Sequence, residues 1–327
     1  LGCAAHSPFD RNYVSDSIQS RAGFELVSVA DSSLLPPDVD LSDGVSEDEA
    51  IALALWNNPQ FLSDLTELGY ARADLIQAGM LLNPALSYLF PIGPKQMEYS
   101  IGLPIEFFWQ RPSRVAISKL NAEQIAESLV QNGLSLIRDV RISYATLQQK
   151  RLQARIVAEE AALQDEIAVI AAARLRAGDI SELEESAFRL LAAQMHEKNI
   201  HFAQDADLEE IQLHRLVGLF GDSITFNFQI PVHLFSPIKN VDDLLLGALA
   251  ARPDLRAAEL GIEVAGNKLG WEQSKIFSLT AVLDANGAGK EGFEMGPGLQ
   301  AELPIFNWNN GNRARAKAEM ARAAKNY

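Results

Sequence analysis

The chain has 327 residues, is 48% hydrophobic with a mean hydropathy of -0.02, and contains no run of about 18 uncharged apolar residues, which excludes an ordinary membrane-spanning helix. Forty-three acidic against 28 basic residues leave a net charge of -15, which repels phosphate backbones and argues against nucleic acid as a partner. A single cysteine leaves no disulfide framework or thiolate metal cluster to be built within one chain.

That cysteine stands in "LGC", Leu1 to Cys3, which resembles the end of a bacterial lipoprotein signal, so Cys3 is expected to become a lipidated first residue. One acyl chain holds a membrane only marginally, and a stable anchor needs further attachment. Residues 4–45 are rich in Ser, Asp and Pro without a sustained period and read as an extended arm. "SEDE" at Ser46 to Glu49 then matches a capping box, opening a helix expected to run to about Leu82, with Pro59 resetting its early turns and Asn83-Pro84 ending it.

Two stretches of strand period follow. Leu86, Tyr88 and Phe90 share one face, and Met97, Tyr99, Ile101, Leu103 and Ile105 alternate with Gln96, Glu98, Ser100 and Gly102 after a turn at Gly93-Pro94. Pro112 suits the first position of a helix, and Ser113 to Ala177 contains no proline and one glycine, Gly133. A helix of that length is a rod of about 98 Å. Its apolar residues return at sevens along several seams: Val130, Ile137, Tyr144; Val140, Leu147, Ala154; Ile156, Leu163, Ile170. More than one seam implies neighbours on more than one side, a wall of helices, with an isolated coiled-coil dimer as the alternative.

The rod ends at "RLRAGDISELEE", where Gly178 stops one helix and Ser181 with Glu184 caps the next, expected to return antiparallel to about Leu219. A strand-like piece, "SITFNFQIPVHLF", follows, then a helix from about Asn240 to Lys275. From here the pattern repeats. Ala54-Leu55 with Pro59 matches Ala248-Leu249 with Pro253, and "LPIEFFWQRPSR" (Leu103 to Arg114) matches "LPIFNWNNGNR" (Leu303 to Arg313). Between them Phe277, Leu279, Ala281 and Leu283 alternate with Ser278, Thr280, Val282 and Asp284. After "NGAGKEG", Phe293, Met295, Leu299, Ala301 and Leu303 alternate with Glu294, Gly296, Gly298, Gln300 and Glu302. The organisation expected is an arm at 1–45, a first repeat at 46–240 and an incomplete second repeat at 241–327.

Four strands with one greasy and one wet face fit a sheet covering a core with water behind it, or a bilayer with a water-filled lumen. In the second case Gln96, Glu98, Ser100, Thr280, Asp284, Glu294, Gln300 and Glu302 face the lumen. In lipid the sheet's two open edges cannot stay unpaired, and closure takes at least about 8 strands, so several copies of the chain must pool theirs.

The ordered set "ALWNNPQFLSDLTELGYARADLIQAGMLLNP", "GLPIEFFWQRPSR", "RLRAGDIS", "ARPDLRAAELGIEVAGNKL" and "LPIFNWNNGNRARAKAE" resembles the TolC-like outer membrane factor family, and its Asn-Pro arrangement looks most like the cation-efflux branch. The resemblance covers about Ser46 to Tyr327. It implies a mostly helical fold with β: long antiparallel hairpins forming an α-barrel, and four strands per chain in an oligomeric transmembrane β-barrel. It further implies a homotrimer in outer membrane lipid with a periplasmic helical tunnel, lipidation at Cys3, and work with a periplasmic adaptor (membrane fusion) protein and an inner-membrane efflux pump. Arg174, Gly178, Asp179 and Ser181 map to the tip that meets the adaptor. The family's second hairpin, which carries its gating acids, has no counterpart within these 327 residues.

His196, His201 and His214 are not spaced as ligands on one helix face and read as solvated. Glu159-Glu160 and Glu209-Glu210 are neighbours whose side chains diverge, and no phosphate loop or nucleophile signature appears, so neither enzyme chemistry nor a cofactor or metal is expected. The reading is a passive exit duct; the rival is a soluble periplasmic helical scaffold or adaptor-like interaction protein.

Overall fold

The computed structural model describes residues 7–26, 35–36, 39, 44–90, 97–219, 240–275, 277–289 and 292–327. Cys3, Gln96, the turn at Gly93-Pro94 and the strand-like stretch after Asp222 lie outside the described residues. Elements in chain order are α1 (Arg11–Ala22), α2 (Glu47–Asn57), α3 (Pro59–Leu65), α4 (Glu67–Gly79), β1 (Ala85–Leu89), β2 (Glu98–Pro104), α5 (Phe107–Ala177), α6 (Glu182–Val217), α7 (Val241–Ala251), α8 (Pro253–Ser274), β3 (Ser278–Gly289), β4 (Gly292–Glu302) and α9 (Asn310–Asn326). The fold is mostly helical with one four-stranded antiparallel sheet. No described helix is long and apolar enough to cross a membrane.

Two compact units form. One takes Leu1–Ser17, Leu65–Gln131 and Asn240–Tyr327, the other Ile18–Asp64 and Asn132–Lys239, so α5 supplies residues to both.

In the second of these, α2 starts as its sequence dictates. The Ser46 side chain accepts from the Glu49 amide at 3.3 Å while Glu49 Oε2 accepts from the Ser46 amide at 2.8 Å. α2 is buried nearly all round, at Ala50, Ile51, Leu53, Ala54, Leu55 and Trp56, and the same unit buries Val140, Tyr144 and Leu147 of α5 with Leu213 and Val217 of α6. Each large apolar side chain so buried contributes about 1.5–3 kcal/mol. The expected single helix to Leu82 is three helices. Pro59 has no amide to continue the ladder, and Asn58 exploits the break: its Oδ1 accepts from the Phe61 amide at 2.9 Å and its Nδ2 donates to the Leu216 carbonyl at 2.9 Å.

The paired acids do more than point at solvent. Glu209 accepts from Ser143 at 2.9 Å and pairs with Lys150 at 3.2 Å, while Glu210 meets Arg151 at 2.7 Å, so both tie α6 to α5. Of the three seams on α5, the first buries Val130, Ile137 and Tyr144 and the second Val140 and Leu147, whereas Ile156, Leu163 and Ile170 are exposed. The third seam therefore has no cover within the chain described.

Within the stretch expected to be an extended arm, Arg11–Ala22 instead form the helix α1. Asp10 Oδ1 accepts from the Tyr13 amide at 3.1 Å, an N-cap, and Val14 and Ile18 are fully buried one turn apart. Ile18 also explains the rod's one glycine: a Cβ on Gly133 would lie 2.5 Å from Ile18 Cδ1. Tyr13 donates its hydroxyl to Glu127 of α5. The start of α5 differs too. It begins at Phe107, with Glu106 accepting at its N-terminus, and Pro112 stands inside the second turn, leaving the carbonyl of Phe108 without its usual i+4 donor.

The other unit holds the sheet, ordered β1-β2-β3-β4. Ala85 pairs with Gly102, Pro104 with Thr280 and Ser278 with Glu302, so the ends joined to α4, α5, α8 and α9 all lie at one end and the two hairpin turns at the other. Hydrogen bonds fasten that helix end. Arg111 Nε donates to the Gly79 carbonyl at 2.8 Å, and Glu106 Oε2 accepts from the Leu279 amide at 2.8 Å and the Ser278 hydroxyl at 3.1 Å. Asn309, at φ 57°, donates to the carbonyl and carboxylate of Glu272, which also accepts from Lys275 at 2.7 Å. Burial pushes the Glu272 carboxyl up, but those donors and the charges of Lys275 and Lys268 outweigh it and hold it below the usual range.

Candidate pore sheet and hairpin tip

Because side chains alternate along a strand, register decides what shares a face. The rows are Tyr88, Tyr99, Ala285 and Met295; Leu86, Ile101, Leu283 and Pro297; and Leu103, Ala281 and Leu299. All fall on one side. Tyr99, Ile101, Leu103, Leu283, Met295 and Leu299 are exposed, so nothing among the described residues packs on this greasy face. The other side collects Glu98, Asn286 and Glu294; Ser100, Asp284 and Gly296; Thr280 and Gln300; and Ser278 and Glu302.

Seven of the eight residues expected to line a lumen are thus on one continuous face, and the eighth, Gln96, lies outside the described residues. The four strands carry Glu98, Asp284, Glu294 and Glu302 and no basic residue. Adjacent strands are about 4.8 Å apart, so Glu98 and Glu294 stand roughly 10 Å from each other with Asn286 between. Small residues leave the face shallow: Gly102, Gly296 and Gly298 lie on it, and a Cβ at Gly102 would sit 3.2 Å from Thr280 Cγ2.

The hairpin tip joins α5 to α6. Gly178 adopts φ 83°, its amide donates to the Leu175 carbonyl at 3.0 Å and the Asp179 amide to that of Arg174 at 3.0 Å, a Schellman stop that needs the glycine. Ser181 then starts α6 with a capping box, its hydroxyl accepting from the Glu184 amide at 3.3 Å and its amide donating to Glu184 Oε2 at 2.8 Å. Those bonds hold the Glu184 carboxyl below its usual range, with Arg174 adding attraction. Arg174, Gly178, Asp179 and Ser181 are all exposed at this turn. Leu183, 81% exposed, stands beside them; an apolar residue in the first turn of a capped helix is the signal that marks it.

Glu106, Glu272 and Asn309, which lock the helix end of the sheet, escaped the sequence reading. Each stands alone in an apolar or polar run without a period to flag it. Among the described residues no group of three or more His, Cys, Asp or Glu could hold a metal, and His196 instead faces Asp165 at 3.0 Å.

No protein-family profile and no curated protein matches the chain. Solved structures do. The chain is similar to the outer membrane protein VceC from Vibrio cholerae at 16% identity and a TM-score of 0.66, covering 86% of this chain and 74% of that one. It is similar to CusC, a transmembrane channel, at 18% identity and 0.67, covering 92% and 79%. The Campylobacter jejuni CmeC outer membrane channel matches at 17% identity and 0.69, covering 92% and 72%. These likenesses show that the chain has the TolC-like outer membrane factor fold.

Proposed function

We propose that this protein is the outer membrane channel of a tripartite efflux system, a passive exit duct for substrates delivered by an inner-membrane pump and a periplasmic adaptor. The observation that carries the reading is the sheet: four strands in one register, with an uncovered apolar face and an acidic face free of any cation. Lipid satisfies the first face and water the second. In this reading the two edges close against other copies of the chain as a homotrimeric barrel of 12 strands, with Gln96, Glu98, Ser100, Thr280, Asp284, Glu294, Gln300 and Glu302 lining the lumen. The exposed third seam of α5 is the kind of surface that a wall of helices from neighbouring copies would cover.

The chain also reads as an internal duplication. α2 and α7 occupy equivalent spans, Glu47–Asn57 and Val241–Ala251, each opened by a side-chain cap, Ser46 and Asn240, and each followed by a proline that starts the next helix. Arg174, Gly178, Asp179 and Ser181 would dock the adaptor, and a lipid on Cys3 would add a second anchor, which labelling with radioactive palmitate would detect in the native chain and not in Cys3→Ser.

Reconstitution into planar bilayers tests the duct. Cation-selective conductance is expected, and reversal of Glu98 and Glu302 to Lys should lower the cation preference several-fold through the focused field of the lumen. No conductance, and solubility without detergent, would favour the soluble scaffold. Arg174→Glu should weaken cross-linking to the adaptor while conductance is unchanged; unaltered cross-linking would remove the tip from the docking surface.

A further inference from the structure

The two hairpins of the sheet are in equivalent register. Laying the end pair Ala85–Gly102 of the first on Ser278–Glu302 of the second sets Leu86 on Leu279, Ser87 on Thr280 and Tyr88 on Ala281, so apolar face falls on apolar face. The residues that follow coincide in sequence as well, Leu103-Pro104-Ile105 on Leu303-Pro304-Ile305, and Glu106 falls on Phe306. β4 thus matches β2 and β1 matches β3. The joint between β2 and β3 is therefore a template for the two edges of the sheet, β4 and β1.

In that joint Leu103 stands opposite Ala281 and Pro104 opposite Thr280, the Ile105 amide donates to the Leu279 carbonyl at 2.8 Å, and Glu106 accepts from the Leu279 amide and the Ser278 hydroxyl. At the edges the matching residues are bare: Phe306 is 98% exposed and Leu86 74%, and the Ile305 amide turns back on the Leu303 carbonyl of its own chain at 2.8 Å. The side chains change together. Phe306 replaces Glu106 where Ala85 replaces Ser278, so a carboxylate would find no hydroxyl there, whereas a ring finds the Ala85 methyl and the Leu86 side chain. One copy cannot bring its own edges together, because three strand spacings, roughly 14 Å, separate β1 from β4.

We propose that β4 of one copy receives β1 of the next in the register of the β2–β3 joint, with Leu303 opposite the next copy's Tyr88, Pro304 opposite its Ser87 and the Ile305 amide on its Leu86 carbonyl. Phe306 then packs on the next copy's Ala85 and Leu86, as Glu106 holds Ser278 and Leu279 within the chain. The proposal rests on the barrel reading and specifies its seam. A slip of one residue would oppose Leu303 to Ser87 and turn one copy's apolar face to the other's polar one.

Disulfide trapping in proteoliposomes tests it, with the native chain, whose single cysteine is Cys3, as the blank. Oxidation of Leu303→Cys/Tyr88→Cys should join copies into a ladder ending at a covalent trimer on a non-reducing gel, since partners in register stand about 4.5–5.5 Å apart, within reach of a disulfide. Leu303→Cys/Leu86→Cys, a diagonal pair at about 7–8 Å, should link several-fold less. Equal or stronger linking by that pair, or by Leu303→Cys/Phe90→Cys, would overturn the register and leave the barrel; linking by none of the three would overturn both. Phe306→Glu added to the first pair should reduce the covalent trimer several-fold, and Ala85→Ser added to that should restore it by rebuilding the contact that Glu106 makes with Ser278. An unchanged yield in Phe306→Glu, or a loss that Ala85→Ser does not repair, would overturn the seat of Phe306 and leave the register standing. Phe306 is exposed in the single copy, so folding of the chain should survive its replacement.

Discussion

Gly218 has room for a hydrogen and for nothing larger. It ends α6 at φ 74°, and a Cβ there would lie 2.3 Å from the Asn57 carbonyl oxygen and 2.9 Å from the Asn58 amide nitrogen, both backbone atoms that cannot swing aside. Gly218→Ala should therefore cost at least about 2 kcal/mol, from left-handed backbone strain plus the clash, visible as a lower midpoint in thermal unfolding. An unchanged midpoint would mean that the α2 and α6 ends do not meet. Tyr144 carries a second test. Its hydroxyl donates to the Val45 carbonyl at 3.1 Å, and burial first, with the charges of Glu47 and Glu49 adding to it, pushes its ionisation up to about 12. The folded pKa lies above the ordinary tyrosine value near 10, so this contribution is complete below about pH 10 and is lost as pH rises toward 12. Tyr144→Phe should flatten the fall in stability between those values and cost about 1 kcal/mol at neutral pH through the missing hydrogen bond. An identical alkaline profile would show that Tyr144 is not the group responsible.

At the scale of elements, what could be read from the sequence was whatever repeats. Heptad seams located α5, alternation located the faces of all four strands, and two capping boxes located the starts of α2 and α6 within a residue. What escaped was set by single residues acting at a distance. α1 has only Tyr13, Val14 and Ile18 for an apolar face, too few to make a period, and it is held by where Ile18 lands. That landing site is Gly133, whose missing side chain looked like a mere weakness in the rod. Gly133→Ala gains about 1 kcal/mol of helix propensity in α5 but displaces Ile18. The expected outcome is faster limited proteolysis between residues 7 and 26 with the helix content of α5 retained, and recovery in Ile18→Ala/Gly133→Ala. Equal cleavage rates in native and Gly133→Ala proteins would separate the glycine from the strap. The division of the first helix at Asn58 was half legible: Pro59 announced a break, yet the bond from Asn58 to Leu216, which makes it a junction, joins residues 158 apart.

For the whole molecule, one sheet ties sequence to role. Its acids and its grease are sorted by strand period, but only the pairing of β2 with β3, across 173 residues of chain from Pro104 to Ser278, puts the two halves of the sequence into one surface. The residues of the acidic face were legible because alternation survives in each strand alone; the locks at Glu106 and Glu272 were not, because they act between elements. The most direct measurement of the central claim is thiol accessibility in proteoliposomes, with Cys3 replaced by serine and one cysteine placed at a time at Ser100, Ile101, Leu299 and Gln300. Water-soluble maleimide is predicted to label the cysteines at 100 and 300 and to leave those at 101 and 299 unmodified until detergent is added. Equal labelling at all four positions before detergent would contradict the account, since both faces of the sheet would then stand in water.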